Sequence, residues 1–458
     1  MKPIIVKALD PKRFNALAGL SRSPAAAYVS EEIAWYSNES ETLIGVILHD
    51  FTDDDYAAIV LARDKDGRFR AFDLESSFDT EDASRGWLER TIKWHTSMDT
   101  KTYVQGDETG GLDLFTPVLP SESLHPSFVY LARDDAFLPA RSIINEMMHH
   151  YVDVDGNFVR EFQSKGFDAR LWELYLYAYI AEEELFLDRA HAAPDFIVTK
   201  YGKTVAIEAV IVGRREDRPV TFLREAPQPK PPEEIRELLK DEIPLRFGSP
   251  LYSKLKKKYW SLPHVKGKPL VFAIADFHDD QSMLWTSSGL FEYLYGVRHG
   301  FSYDENGQLL ISTTPIGTHK ARGKEVPSGY FFQPDAEHVS AVLFSASGTI
   351  SKFNRIGRQA GFCHPRVTML RIGVCHDHDP NASVPLSFHY TVDETRNETW
   401  AEGISMFHNP NAELPVPEEL FPSIAHHHFQ GGQIASRVPP FHPYASWTLN
   451  IRIRENQT

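Results

Sequence analysis

The spacing of hydrophobic residues changes twice along this chain, near residues 140 and 290. Up to residue 140, short apolar runs alternate with turn signals, which predicts a sheet-rich unit. A helical pattern then begins and continues as helix, strand, strand, helix and strand. Beyond it, strands and long polar loops return. We therefore predict three domains, at residues 1–140, 141–290 and 291–458.

Length and composition agree with this division. A chain of 458 residues is too long for one hydrophobic core, and 42% hydrophobic residues are typical of a folded protein. The only cysteines, Cys363 and Cys375, exclude a disulfide framework, and Met1–Asp10 lacks the apolar segment of a signal peptide. The apolar stretches are too short to span a bilayer. We expect a cytoplasmic protein that does not enter a membrane.

The charge distribution limits how the chain could bind nucleic acid. A net charge of −15 argues against a protein that coats nucleic acid, because neutralising phosphates requires an excess of Lys and Arg. Residues 229–268 nevertheless contain ten Lys or Arg and five Asp or Glu. This segment is either a local basic surface or a solvated helix face, and its composition fits both.

One charged residue stands out in the segment Leu171–Ala181. This segment is apolar or aromatic on nearly every side, which predicts a buried helix, and Glu173 is its only charge. Burying an unpaired carboxylate costs roughly several kcal/mol, so Glu173 needs a cation, a metal ion or a proton. Arg170, three residues earlier on the same helix face, would provide the simplest ion pair.

Residues 194–212 contain two β-rich runs joined by a short turn, which predicts a hairpin. If the turn is centred between Tyr201 and Gly202, Asp195 lies opposite Glu208. Cross-strand Cβ atoms are about 4.5–5.5 Å apart, and two like charges there destabilise the pair. Glu208 is also the only charge in a strand that is apolar on both faces, which indicates burial.

Two adjacent buried carboxylates, with Glu173 approaching from the preceding helix, favour a hard divalent cation with oxygen ligands. Mg²⁺ or Mn²⁺ is the expected ion. A proton shared by Asp195 and Glu208, or a solvated hairpin end, is the alternative.

These residues resemble the PD-(D/E)xK nuclease superfamily, whose metal site combines a helix acidic residue, a second-strand Asp and a third-strand acidic-x-Lys. The matching positions are Glu173, Pro194-Asp195 and Glu208-Ala209-Val210. The resemblance covers residues 160–277. It implies an α/β fold with a restriction-endonuclease-like central domain, in the order α-β-β-β-α-β with a mixed sheet, flanked by sheet-rich N- and C-terminal regions. It also implies that Asp195, Glu208 and the Ala209 carbonyl bind the metal, and that Glu173 completes the site or binds a second metal ion.

The motif lysine is replaced by Val210. Some members of the superfamily supply this lysine from the following helix, which we predict over Ser249–Val265. Helical spacing turns Lys254 and Lys258 toward the buried side and the two lysines between them away from it. Lys258 is the preferred replacement because it lies more centrally on the buried stripe, although an inward lysine can also extend to the surface.

By this resemblance we expect a metal-dependent nuclease that hydrolyses phosphodiester bonds of nucleic acid, with DNA as the expected substrate. The metal would activate a water molecule, and Lys258 or Lys254 would stabilise charge in the transition state. The flanking regions would select the target, restrain the nuclease, or contact a second copy or a protein partner.

Two other functions remain open. The chain could have lost activity with the motif lysine and serve as a nucleic-acid-binding or sensing module. It could instead be a different hydrolase that uses the cluster His376-Asp377-His378-Asp379. That cluster and His426-His427-His428 contain metal-ligating residue types at close spacing, but polar loops of this kind are more often solvated.

Overall fold

The computed structural model describes residues 3–98, 100–214, 230–321 and 323–453. Within these ranges, helices and strands are interspersed and the strands form five sheets. The predicted α/β class is therefore confirmed. None of the helices in the same ranges has both the length and the apolar character needed to cross a lipid bilayer.

The N-terminal part is a five-stranded antiparallel meander with a helix on each face. Its elements are β1 (Val6–Ala8), α1 (Pro11–Ala18), β2 (Ser30–Asn38), β3 (Leu43–Asp50), β4 (Asp55–Arg63), β5 (Phe69–Phe78) and α2 (Glu81–Ser97). Along β3, Ile44 and Val46 pack with α1, whereas Leu43 and Ile47 pack with α2. Burial of both faces explains why this strand is almost continuously apolar.

Four helices connect this unit to a large sheet: α3 (Pro126–Arg133), α4 (Leu138–Met148), α5 (Phe158–Phe162) and α6 (Phe167–Glu182). Helix α6 contains the predicted buried segment, and ten of its sixteen residues are buried. Because apolar side chains surround it on nearly every side, it lies inside the core rather than on the surface.

The large sheet has eight strands. They are β6 (Phe186–Asp188), β7 (Phe196–Lys200), β8 (Lys203–Val212), β9 (Leu270–Asp276), β14 (Ala341–Ser345), β17 (Ile404–His408), β18 (Ala425–Gln430) and β19 (Gln433–Arg437). Their spatial order is β19-β18-β17-β14-β9-β8-β7-β6. Strands β6, β7 and β8 form an antiparallel meander, and β8, β9 and β14 are parallel. The sheet is thus continuous across the predicted boundary between residues 290 and 291.

The remaining elements cover this sheet or extend from it. The helices are α7 (Pro232–Lys240), α8 (Glu242–Leu255), α9 (Ser287–Tyr295) and α10 (Ile350–Gln359). Two hairpins pair β10 (Val297–Tyr303) with β11 (Leu309–Pro315), and β12 (Thr318–Ala321) with β13 (Lys324–Pro327). A three-stranded antiparallel sheet has the order β16-β15-β20 and comprises β15 (Val367–Cys375), β16 (Leu386–Val392) and β20 (Pro443–Arg452).

Alternating residues of β8 separate the two cores of the large sheet. Val205 and Ile207 pack on the face covered by α6, whereas Ala206 and Val210 pack on the face covered by α8 and α9. Residues 270–275 of the central strand β9 are buried, as their apolar sequence predicts, and Asp276 at the end of the strand is buried as well. Glu208 shares the even-numbered positions of β8, so its side chain belongs to the face of α8.

Candidate active site

The hairpin of β7 and β8 has the predicted register. Pairing runs from Phe196 opposite Ile207 to Lys200 opposite Lys203. The turn residues Tyr201 and Gly202 have φ angles of 54° and 72°, and two successive positive φ angles suit a tight two-residue hairpin turn. The turn therefore sets the pairing that brings Asp195, one residue before β7, beside the Glu208 region.

Asp195 is held by the backbone of the neighbouring strand. Its Oδ2 accepts a hydrogen bond from the backbone N–H of Ala209 at 2.7 Å. Ala209 is the residue whose carbonyl is the expected metal ligand, so the contact holds Asp195 beside the backbone segment expected to bind the ion.

Glu208 is buried and has two partners on one of its oxygens. Its Oε1 accepts hydrogen bonds from the Lys254 ammonium and from the Tyr259 hydroxyl, the latter at 2.5 Å. Its Oε2 is buried and has no hydrogen-bond partner among the residues that the structure describes. A buried carboxylate oxygen without a partner costs free energy, and a bound cation would remove that cost.

The environment of Asp195 favours its protonated form. Burial raises the pKa of the Asp195 carboxyl, and the nearby charges of Glu208 and Glu173 raise it further. The Ala209 N–H and Lys254 oppose this effect, and the resulting pKa is about 8. Without a metal ion, this environment therefore favours a protonated Asp195 at neutral pH.

Glu173 forms the ion pair that its neighbour in sequence suggested. Its Oε2 accepts a hydrogen bond from Nη1 of Arg170 at 2.7 Å, and Arg170 also binds Glu161. Burial raises the pKa of Glu173, although Arg170 opposes the change. Within the described ranges, the ligand atoms of Glu173, Asp195 and Glu208 do not all lie within 4.8 Å of one another, so Glu173 does not complete a three-carboxylate metal site. Its charge nevertheless raises the pKa of Asp195.

The two candidate lysines have different positions. Lys254 lies in the last turn of α8 and contacts Glu208. Helix α8 ends at Leu255, so the prediction of a helix through Val265 is wrong beyond that residue. Lys258 adopts the left-handed conformation, with φ 51° and ψ 48°, and its ammonium lies 3.1 Å from Asp335. Helical spacing does not set the direction of Lys258 there, and its ammonium pairs with Asp335 instead of Glu208.

Two further residues of this region were not identified from the sequence. The sequence placed Tyr259 on the buried stripe of the helix because of its ring, but its hydroxyl also donates a hydrogen bond to Glu208. The hydroxyl of a buried tyrosine usually has a hydrogen-bond partner, and this rule was the one signal in the sequence for the contact. Arg189 stacks on the Tyr151 ring at 4.3 Å and opposes the rise in the pKa of Glu173. No sequence pattern links it to the site.

The histidine-rich segments have separate locations. Nδ1 of His376 lies 2.7 Å from the Tyr444 hydroxyl, and the His378 ring donates to the Pro440 carbonyl at 3.2 Å. Across the described part of the chain, one group of at least three ligand-type residues has all its ligand atoms within 4.8 Å: His408, Glu418 and His428.

Comparisons of the chain with protein-family models, with curated proteins and with solved structures found no significant match.

Proposed function

We propose that the chain is a metal-dependent nuclease whose site is formed by Asp195, Glu208 and the Ala209 carbonyl, with Lys254 in the role of the missing motif lysine. The observation that carries this proposal is the environment of Glu208. One carboxylate oxygen contacts a lysine from the following helix, and the other is buried without a partner in the described residues.

The order of elements supports the same proposal. Helix α6, strands β6 to β8, helix α8 and strand β9 follow one another, with β6 to β8 antiparallel and β9 parallel to β8. This is the order expected of a restriction-endonuclease-like core, here with α7 added before α8. Val210 is buried on the face of α8, and Lys254 reaches Glu208 from the helix that covers this face.

The available donors suit Mg²⁺ or Mn²⁺. Asp195, Glu208 and the Ala209 carbonyl provide oxygen atoms, which are the ligands that these hard cations prefer. A cation bound there would supply positive charge that activates a water molecule and offsets charge developing on a phosphate. Because Asp195 holds a proton in the metal-free protein, it would release that proton when a cation binds.

The protein side chains would orient and balance this site. Tyr259 holds Oε1 of Glu208, which leaves Oε2 for a cation. Lys254 would stabilise the negative charge that develops during phosphodiester hydrolysis. The consecutive lysines 256–258 are exposed next to Tyr259 and would contact the phosphate backbone of a nucleic acid, with DNA as the expected substrate.

Nuclease assays test the proposal. The full chain is incubated with Mg²⁺ or Mn²⁺ and with single- and double-stranded DNA and RNA, beside Asp195→Asn as the site variant and Asp188→Asn as an exposed control on β6. We expect metal-dependent cleavage by the parent and the control, and none by Asp195→Asn. Absence of cleavage of all four substrates by the parent, or equal cleavage by Asp195→Asn, would overturn it.

A second function is favoured because the charges of the three carboxylates are already neutralised within the protein. Glu208 already has Lys254 as a counterion, Glu173 has Arg170, and Asp195 is protonated at neutral pH. A site neutralised in this way is compatible with a nuclease-like fold that binds nucleic acid without cutting it. Calorimetry with Mn²⁺ separates the two functions, because the binding module is expected to give no heat that depends on Asp195.

A further inference from the structure

Two histidines and a glutamate lie close together in the half of the large sheet that is farther from β7 and β8. Strands β17 and β18 are parallel, with Phe407 opposite His427, so His408 and His428 follow as neighbours on one face. Their rings are stacked, with centroids 4.1 Å apart and an angle of 10° between the planes. Glu418 begins the short 3-10 turn before β18, and its Oε1 lies 2.9 Å from Nε2 of His428.

A third histidine indicates which nitrogen of His408 is free to bind. Nε2 of His426 lies 2.8 Å from the Phe421 carbonyl oxygen, which can only accept a hydrogen bond, so this nitrogen carries the proton. A neutral imidazole that donates through one nitrogen accepts through the other, so Nδ1 of His426 is an acceptor, and the Oε2 atom of Glu418 lies 3.8 Å from it, beyond hydrogen-bond distance. Nε2 of His408 lies 2.8 Å from that Nδ1 and must donate. Nδ1 of His408 therefore keeps its lone pair.

His408 has a fixed acceptor for one of its ring nitrogens. A metal-ligating histidine donates the N–H that does not face the metal to an acceptor such as a carboxylate, a backbone carbonyl or water, which sets the tautomer and the orientation of the ring. His426 provides that acceptor for His408, and the Phe421 carbonyl in turn fixes His426.

Glu418 is also oriented by a neighbour. Nη2 of Arg437, on β19, lies 3.2 Å from Oε2 of Glu418, while Oε1 faces His428. The exposed fractions of the His428 and Glu418 side chains are 34% and 37%, so an ion can reach the site from solvent. With His408, the set comprises two imidazoles and one carboxylate, and all their ligand atoms lie within 4.8 Å of one another.

We propose that His408, Glu418 and His428 bind one divalent transition-metal ion, with Zn²⁺ as the preferred ion. Two imidazoles and one carboxylate are a known ligand set of zinc, and three protein ligands leave a fourth position for water or another small ligand. Imidazole nitrogen selects this class of ion over Mg²⁺. Strands β14 and β9 separate β17 from β8, so the site is distinct from that of Asp195 and Glu208.

Metal titrations of the full chain test this proposal. Protein stripped with a chelator is titrated with Zn²⁺ and with Mg²⁺ by calorimetry, and Co²⁺ absorption reports the coordination geometry. We expect one Zn²⁺ per chain, a tetrahedral or five-coordinate Co²⁺ spectrum, and no competition by Mg²⁺. The absence of stoichiometric Zn²⁺ binding, or only the spectrum of hexa-aqua Co²⁺, would overturn the proposal.

Substitutions assign the site to these residues. Glu418→Gln and His428→Gln alter partly exposed side chains and should each weaken Zn²⁺ binding by more than about 100-fold, because loss of a supporting partner alone costs about 10- to 100-fold. His376→Gln, in the other histidine segment, should bind Zn²⁺ as the parent does. Zn²⁺ binding that survives both site substitutions, or that disappears in His376→Gln, would place the ion elsewhere.

Two more variants distinguish direct metal ligands from a residue that only positions a ligand, and the zinc site from the proposed nuclease site. His426→Gln should weaken Zn²⁺ binding by about 10- to 100-fold while the stoichiometry at saturation stays at one ion, since His426 acts through His408. Asp195→Asn should leave Zn²⁺ binding unchanged, so failure of the nuclease proposal and failure of the zinc proposal can be distinguished. Thermal melts of each variant without metal show whether it is folded.

Discussion

Lys254 of helix α8 and Glu208 of strand β8 form an ion pair although 46 residues separate them in the chain. The pair joins the helix to the strand two residues before Val210, the position at which the resemblance to the nuclease superfamily leads us to expect a lysine. Lys258 lies only four residues after Lys254, but its ammonium pairs with Asp335. The two lysines therefore provide a matched comparison for the proposed catalytic role.

Lys254→Met should lower the rate of metal-dependent cleavage by about 100- to 1,000-fold, the range observed when one preorganised group that stabilises transition-state charge is removed. Lys258→Met should change the rate little and at most weaken nucleic-acid binding in a salt-dependent manner. Single-turnover assays with saturating Mn²⁺ measure the rate. Equal rates for both variants would exclude Lys254 as the replacement lysine.

Asp195 should make the stability of the metal-free protein depend on pH. Its folded pKa of about 8 lies above the ordinary pKa of 3.8 for a free aspartate side chain. Between these values the unfolded chain has lost the proton and the folded chain keeps it, so the contribution of Asp195 to stability falls as pH rises. The contribution is fully present below about pH 4 and is lost by the time the pH has passed about 8.

Asp195→Asn removes this titration, so its melting temperature should exceed that of the parent by more at pH 8 than at pH 5. Thermal melts in the presence of a chelator measure the difference, and Asp188→Asn serves as the control for an exposed carboxylate. The affinity of the parent for Mn²⁺ should rise over the same range, because the metal competes with the proton. A parent-to-variant difference that does not change with pH would contradict the assignment.

Glu398→Gln should destabilise the fold by about 3–5 kcal/mol, the usual cost of removing one partner from a buried ion pair. Arg355 of α10 binds both oxygens of Glu398 at 2.7 Å, and Lys352 and Arg371 lie 2.8 and 3.4 Å from it. The variant would leave these three buried cations without their shared carboxylate. Urea denaturation measures the free energy of unfolding, and the exposed Glu394→Gln should leave it unchanged.

Gly348→Ala should destabilise the protein by about 1–3 kcal/mol through overpacking. A Cβ at this position would lie 2.6 Å from Cε3 of Trp172, whose ring is fully buried. The ring cannot move freely because its Nε1 donates to the Ala273 carbonyl at 2.8 Å. Gly317→Ala is the control, since a Cβ there meets no atom within 4 Å. Equal unfolding midpoints for the two variants would show that Trp172 can shift.

Features that depend on neighbours in sequence were predictable. The turn at Tyr201-Gly202 sets the pairing of β7 with β8 over a few residues, so counting outward from it places Asp195 beside the segment of Glu208. Strand β9 is buried because its apolar run leaves no polar face to expose. The Arg170–Glu173 ion pair follows from their spacing of three on one helix.

Features that depend on the assembled sheet were not predictable. The predicted direction of the Lys258 side chain was wrong because α8 ends at Leu255, after which helical spacing no longer applies. Parallel strands are joined by long crossovers that do not set the register as a tight turn does. Packing across the whole sheet therefore decided that β14 continues the sheet beyond residue 290, and that His408 of β17 meets His428 of β18.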